Sequence, residues 1–247
     1  MRQRMLIFPF TIVLLLPLVA SAFRPFKVPY LTAIYWRVLK SADIELLPTG
    51  IRFYGTGAFI GPDLVLTAAH TLPHENWEDD EYMQKAIKRS KIHILIKFNE
   101  RFHQAKVVIF PSDADIAVLR VSGIQAKDYL PVSFEVPPAG ADLTIISWRP
   151  LQKNRMPTIT PVIWKLTVDD PDFERTWGVI KPVRERLIYG HPKAWSGTSG
   201  SPALLDGKVI GVVVGITEPD HTLIEPTRKI QTPLLKLLRQ NLRQGRK

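Results

Sequence analysis

The chain has 247 residues, 45% of them hydrophobic and 9% aromatic, enough to bury a core as one large domain or two small ones. Its formal net charge is +10, but the basic residues are scattered and no dense basic run alternates with aromatics, which argues against nucleic-acid binding. The absence of cysteine excludes a thiol nucleophile and a thiolate metal site.

Residues 1–22 read as an export signal. Arg2 and Arg4 precede an apolar stretch from Met5 to Val19, and Ala20-Ser21-Ala22 offers small residues for cleavage before Phe23. About fifteen apolar residues broken by Pro9 and Pro17 are short for a membrane span. The expectation is therefore a secreted or periplasmic protein with no stable membrane insertion. A cysteine-free exported domain points towards a bacterial source.

Beyond the leader the chain reads as short strands separated by turns. Gly57–Ile60 and Leu64–Thr67 flank Gly61-Pro62-Asp63, a hairpin signature. Further strands are expected at Ile92–Phe98, Ala105–Phe110, Ile116–Val121, Asp142–Trp148, Ile159–Val168, Leu187–Tyr189, Ala203–Leu205 and Val209–Gly215, with an Asp206-Gly207 turn before the last. Strands at this spacing indicate an all-β sandwich or barrel. Two stretches read as helix: Glu78–Arg89, and Pro233–Leu242 with Thr232 as its N-cap. The proline-rich stretch from Pro131 to Gly140 suggests a connection between two halves, residues 23–133 and 134–247. The acidic group Glu75, Glu78, Asp79, Asp80 and Glu81 lacks the spacing of a calcium loop and reads as a helix start.

The stretch from Ala194 to Val214 sets three serines and two glycines before an apolar strand. A serine hydroxyl is a weak nucleophile, so a catalytic serine needs a base, an orienter for that base and an oxyanion site. Of six histidines, His74, His93, His103, His191 and His221 lie in ordinary surroundings and read as surface or structural residues. His70 follows Thr67-Ala68-Ala69, small residues that leave an imidazole room to turn, and imidazole titrates near neutrality as a general base requires. Asp115 stands at the entrance of an apolar strand where a buried orienting carboxylate would sit, while Asp113 belongs to the turn before it. The order His, Asp, Ser and the missing last glycine in Gly197-Thr198-Ser199-Gly200-Ser201 argue against an α/β-hydrolase.

"LTAAH" ending at His70, "DIAVL" beginning at Asp115 and "GTSGSP" around Ser199, in this order, resemble the chymotrypsin-like serine endopeptidases, in the style of bacterial secreted members. The resemblance implies two six-stranded antiparallel β-barrels with the active site between them and a C-terminal helix. It implies His70, Asp115 and Ser199 as catalytic triad, the amides of Gly197 and Ser199 as oxyanion hole, a peptide or protein substrate, and neither cofactor nor metal. The same fold without activity, serving as a peptide- or protein-binding module, is the alternative.

The sequence departs from that family in three places. Thr71 follows His70 where disulfide-bearing relatives have cysteine, in keeping with a cysteine-free chain. Thr198 stands where digestive members carry an aspartate that pairs with a released N-terminus, so no such ion pair is expected. Val214 stands where many relatives place a serine bonded to the triad aspartate, so Asp115 is expected to lack one donor. By alignment the substrate pocket would involve Lys193, Ala194 and Val214. A lysine there would favour an acidic substrate side chain.

Overall fold

The computed structural model describes residues 30–41, 49–73, 81–150, 159–177, 183–195, 197–217 and 221–244. The expected leader, His74, Ser196 and Glu75 to Asp80 of the acidic group lie outside them. Six strands form the first closed barrel: β1 (Leu31–Lys40), β2 (Gly50–Phe59), β3 (Leu64–Thr67), β4 (Lys91–Phe98), β5 (Arg101–Ile109) and β6 (Ala117–Val121), ordered β1-β2-β3-β6-β5-β4. Six more form the second: β7 (Asp142–Pro150), β8 (Ile159–Trp177), β9 (Val183–His191), β10 (Pro202–Leu205), β11 (Lys208–Thr217) and β12 (His221–Pro226), ordered β10-β11-β12-β9-β8-β7. Every strand pairing within the two barrels is antiparallel, and closure leaves neither sheet an open edge. The segment between Val121 and Asp142 carries the chain from one barrel to the other.

Three hairpin turns show how local chemistry sets register. Asp206 and Gly207, with φ of 49° and 75°, form a two-residue left-handed turn that pairs Leu205 with Lys208. Asn99 and Glu100 do the same between β4 and β5, with φ of 47° and 60° and Phe98 opposite Arg101. The Gly61-Pro62-Asp63 turn sets Phe59 opposite Val65.

Each barrel is filled by its own inward side chains. Ile34, Phe59, Val65, Ile96 and Leu119 meet inside the first, and Leu143, Ile145, Leu166, Ile210 and Ile224 inside the second. A further cluster spans the seam, joining Leu66, Ile116 and Val118 to Ile146, Val209 and Val212, with Ile230 and Leu234 beneath. The halves are thus packed as one body across an apolar seam.

Two elements escaped the sequence reading. β1 is buried along nearly all its length, so its sequence lacks the alternation that marks a half-exposed strand. β12 carries a glutamate and ends in proline, yet it is almost wholly buried. α1 spans Glu81–Arg89 and ends where expected, the start expected at Glu78 lying outside the described residues, while α2 spans Gln231–Gln244 and is longer than expected at both ends. A single 3-10 turn, Thr227–Ile230, runs directly into α2, so the helix starts before Thr232 rather than at it.

Candidate active site

Three segments meet where the barrels face each other. The first follows β3, where the chain turns through one 3-10 turn, Ala69–Thr71, and His70 leaves the barrel. Thr71 fixes this turn by donating its hydroxyl to the Ala68 carbonyl at 2.7 Å. The Trp36 indole, stacked on Tyr54, donates to the Thr71 carbonyl at 2.8 Å. The second segment is the turn before β6, with Asp113 exposed and Asp115 half-buried.

Asp115 grips His70 at two points. One carboxylate oxygen accepts from the His70 backbone N–H at 2.8 Å, and the other lies 2.6 Å from the ring Nδ1. This fixes the imidazole's orientation and leaves Nε2 as its outward nitrogen. The His70 side chain is 41% exposed and that of Asp115 25%, so the pair stays open to solvent on the imidazole side.

The third segment carries Ser199, and its shape follows from glycine. Gly197 has φ of 96° and Gly200 of 81°, conformations that other residues adopt at a cost. A Cβ on Gly200 would lie 2.1 Å from the Thr56 carbonyl and 2.3 Å from Thr67 Oγ1, so this loop presses directly on the end of β3 near His70. Thr198, buried, donates its hydroxyl to the Trp195 carbonyl at 2.6 Å, keeping the loop's own turn closed where an aspartate was absent from the motif. Ser201 shares a hydroxyl contact of 2.7 Å with Ser147 beneath.

Thr56, on β2, joins this loop to the first barrel. Its N–H donates to the Ser199 carbonyl at 2.8 Å, its hydroxyl to the Gly197 carbonyl at 3.3 Å, and its own carbonyl accepts from Thr67 at 2.7 Å. His70 and Asp115 are therefore bonded directly, and Ser199 is brought to their side through Thr56 and Gly200. Among the described residues the Ser199 hydroxyl makes no hydrogen bond, and neither do the amides of Gly197 and Ser199.

Glu225, like Thr56, is a residue that motif reading missed. Although on β12 of the second barrel, it is fully buried and accepts from the Asp115 N–H through Oε2 at 3.0 Å. Its Oε1 lies 2.6 Å from Lys229 Nζ. The only signal in the sequence is a carboxylate inside an otherwise apolar strand with a lysine four residues on. Val214, where a donor was expected to be missing, packs against the apolar seam.

A cavity of about 270 Å³ opens beside the serine, lined by Trp195, Thr198, Ser199, Val213, Gly215 and Ile216. Its walls are mostly apolar. Lys193 is half-exposed and off this lining, and Ala194 is buried in the second barrel's core, its N–H donating to Thr222 Oγ1 at 2.8 Å.

A family model for the trypsin-like peptidase domain matches residues 55–212, more than half of the chain and including all three segments. The chain belongs to the trypsin-like peptidase family. It is 27% identical over 169 residues to the serine protease Rv3671c of Mycobacterium tuberculosis, covering 67% of this chain and 37% of that protein. This trypsin-like chain thus spans well under half the length of that relative. In fold it is similar to the crystal structure of the Rv3671c protease in its active form, with a TM-score of 0.61 and 19% identity over 96% of this chain and 93% of that one. The inactive form gives a TM-score of 0.57 and 21% identity, over 89% and 92% of the two chains.

Proposed function

We propose that this trypsin-like chain is an exported serine endopeptidase that cleaves peptide bonds through an acyl-enzyme. In this reading Ser199 attacks the scissile carbonyl while His70 Nε2 takes its proton and later returns it to the leaving amine. Asp115 holds the ring's tautomer and stabilises the imidazolium as it forms. The free amides of Gly197 and Ser199 would receive the charge that develops on the carbonyl oxygen. The observation that carries the reading is the two-point grip of Asp115 on His70, opposite a serine loop tied to the same barrel by Thr56. Glu225 acts here as a positioning residue, since it holds the backbone of Asp115 and touches no reacting atom.

The cavity beside Ser199 suits an uncharged substrate side chain of modest size before the scissile bond, because its walls are Trp195, Val213 and Ile216. A set of peptides differing only in Glu, Arg, Phe or Val at that position measures this preference. Faster cleavage after Glu would instead assign recognition to Lys193.

A fluorophosphonate probe tests the chemistry. The wild-type chain becomes labelled and Ser199→Ala does not, with kcat falling roughly 10⁶-fold, a scale taken from the serine-peptidase template. Asp115→Asn lowers kcat about 10⁴-fold on the same template. The unbonded Ser199 hydroxyl favours a second reading, in which the same cleft only binds peptide. A wild-type chain that binds peptide but takes no label would establish that reading. The signal-like pattern of residues 1–22 supports a secreted or periplasmic site of action, which sequencing the N-terminus of the purified protein would test.

A further inference from the structure

Asp169, His191 and His221, far apart in the sequence, converge on the second barrel outside the catalytic cleft. His191 Nδ1 lies 2.9 Å from Asp169 Oδ2, and His221 Nε2 lies 3.4 Å from the same oxygen. The three ligand atoms all fall within 4.8 Å of one another. Around a four-coordinate zinc ion with bonds of about 2.0–2.1 Å, neighbouring donor atoms stand about 3.3 Å apart. Two edges of that figure are already close to this length.

The fold aims each side chain there. Between β8 and β9, Val168 pairs with Gly190 and Asp170 with Tyr189, so Asp169 is the extra residue of a bulge. A bulge re-aims a side chain off the regular alternation of a strand. On the neighbouring strand Thr222 pairs with Gly190, setting His221 beside His191. The His221 ring is held by stacking on Tyr189, centroids 4.2 Å apart, which itself stacks on Phe173 at 4.6 Å. Imidazole and carboxylate donors together suit zinc among the divalent ions, and calcium and magnesium poorly.

We propose that Asp169, His191 and His221 form a binding site for a zinc-class divalent ion, with remaining positions open to water. Among the described residues His221 Nδ1 has no hydrogen-bond partner, so this ligand lacks the outer support that a permanently held metal normally has. The ion ties β8, β9 and β12 together behind the substrate cavity: Thr222 pairs with Ile216 of the cavity wall and accepts from the Ala194 N–H. Occupancy thus stiffens that wall from outside. The site stands whether or not the cleft is catalytic, and its test reads binding alone.

Calorimetric titration of the full chain with zinc chloride at neutral pH, repeated with cobalt(II) and read by visible absorption, tests the proposal. The wild-type chain is expected to show one saturable step, a cobalt spectrum of low coordination number and a raised melting temperature. His191→Ala and Asp169→Asn alter exposed side chains and keep the fold; each is expected to weaken this step at least about tenfold. His221→Ala should do the same, and His93→Ala on β4 should leave it unchanged. No saturable step in the wild-type chain, or a step that survives in His191→Ala and Asp169→Asn, would overturn the proposal.

Discussion

Glu225 is a charge placed where hydrophobic packing alone would put leucine. Its carboxylate is removed from water entirely, and its contacts include the Asp115 N–H and the Lys229 ammonium. A buried ion pair adds little over an apolar pair, but breaking one by removing a partner strands the other charge. Glu225→Gln is therefore expected to lower stability by about 2–3 kcal/mol, the partial exposure of Lys229 limiting the loss. Glu225→Gln combined with Lys229→Met should recover part of it, as urea unfolding at constant m-value would show. Losses equal in the single and double variants would mean that the pair itself does not matter. His70, Asp115 and Ser199 were legible because each sits in a short contiguous motif. Glu225 and Thr56 were not: both act across the seam, on partners 110 and 143 positions away, Asp115 and Ser199. His191 and His221 read as ordinary for the same reason, since their shared carboxylate comes from a bulge on another strand.

Among the elements, the β4–β5 hairpin carries a visible local conflict. Its left-handed turn is made by Asn99 and Glu100, and glutamate has no side-chain feature that favours φ of 60°. The Lys97–Glu100 ion pair of 2.8 Å is exposed on the glutamate side and offers little in return. Glu100→Gly is expected to raise stability by about 1 kcal/mol, measurable as a higher denaturation midpoint; a lower midpoint would mean that the ion pair outweighs the turn strain. The turns of Asp206-Gly207 and Gly61-Pro62-Asp63 were readable because their residue types impose the backbone conformation. β1 and β12 were not, since a strand buried on both faces shows no alternation and a buried glutamate mimics a surface residue. The strand and linker pattern gave about six strands per half, and the family resemblance added their closure into two barrels.

At the scale of the whole molecule, burial of aromatic hydroxyls sets an alkaline limit. Burial, and then the Glu100 carboxylate, push the Tyr35 phenol from 10.0 up to about 12. Tyr30 and Tyr54 are also raised by burial, Arg52 opposing part of the effect at Tyr54. A tyrosine whose proton is held more tightly in the folded chain stabilises it fully below the unfolded pKa. That stability is lost as pH rises from about 10 towards 12. Unfolding free energy should fall over this window, and Tyr35→Phe should flatten the fall by about 2 kcal/mol. An identical slope in the variant would remove Tyr35 from the account.

Thr56 bonds one barrel to the loop of the other through both its amide and its hydroxyl, while Gly200 wedges against the same strand ends. The proposed constellation of His70, Asp115 and Ser199 is consequently a property of the docked halves and belongs to neither alone. A slight parting of the seam would scatter the groups while both barrels kept their hydrogen-bonded ladders. In rising denaturant, fluorophosphonate reactivity should vanish before the far-ultraviolet strand signal declines, and coincident curves would show that docking and folding are one event.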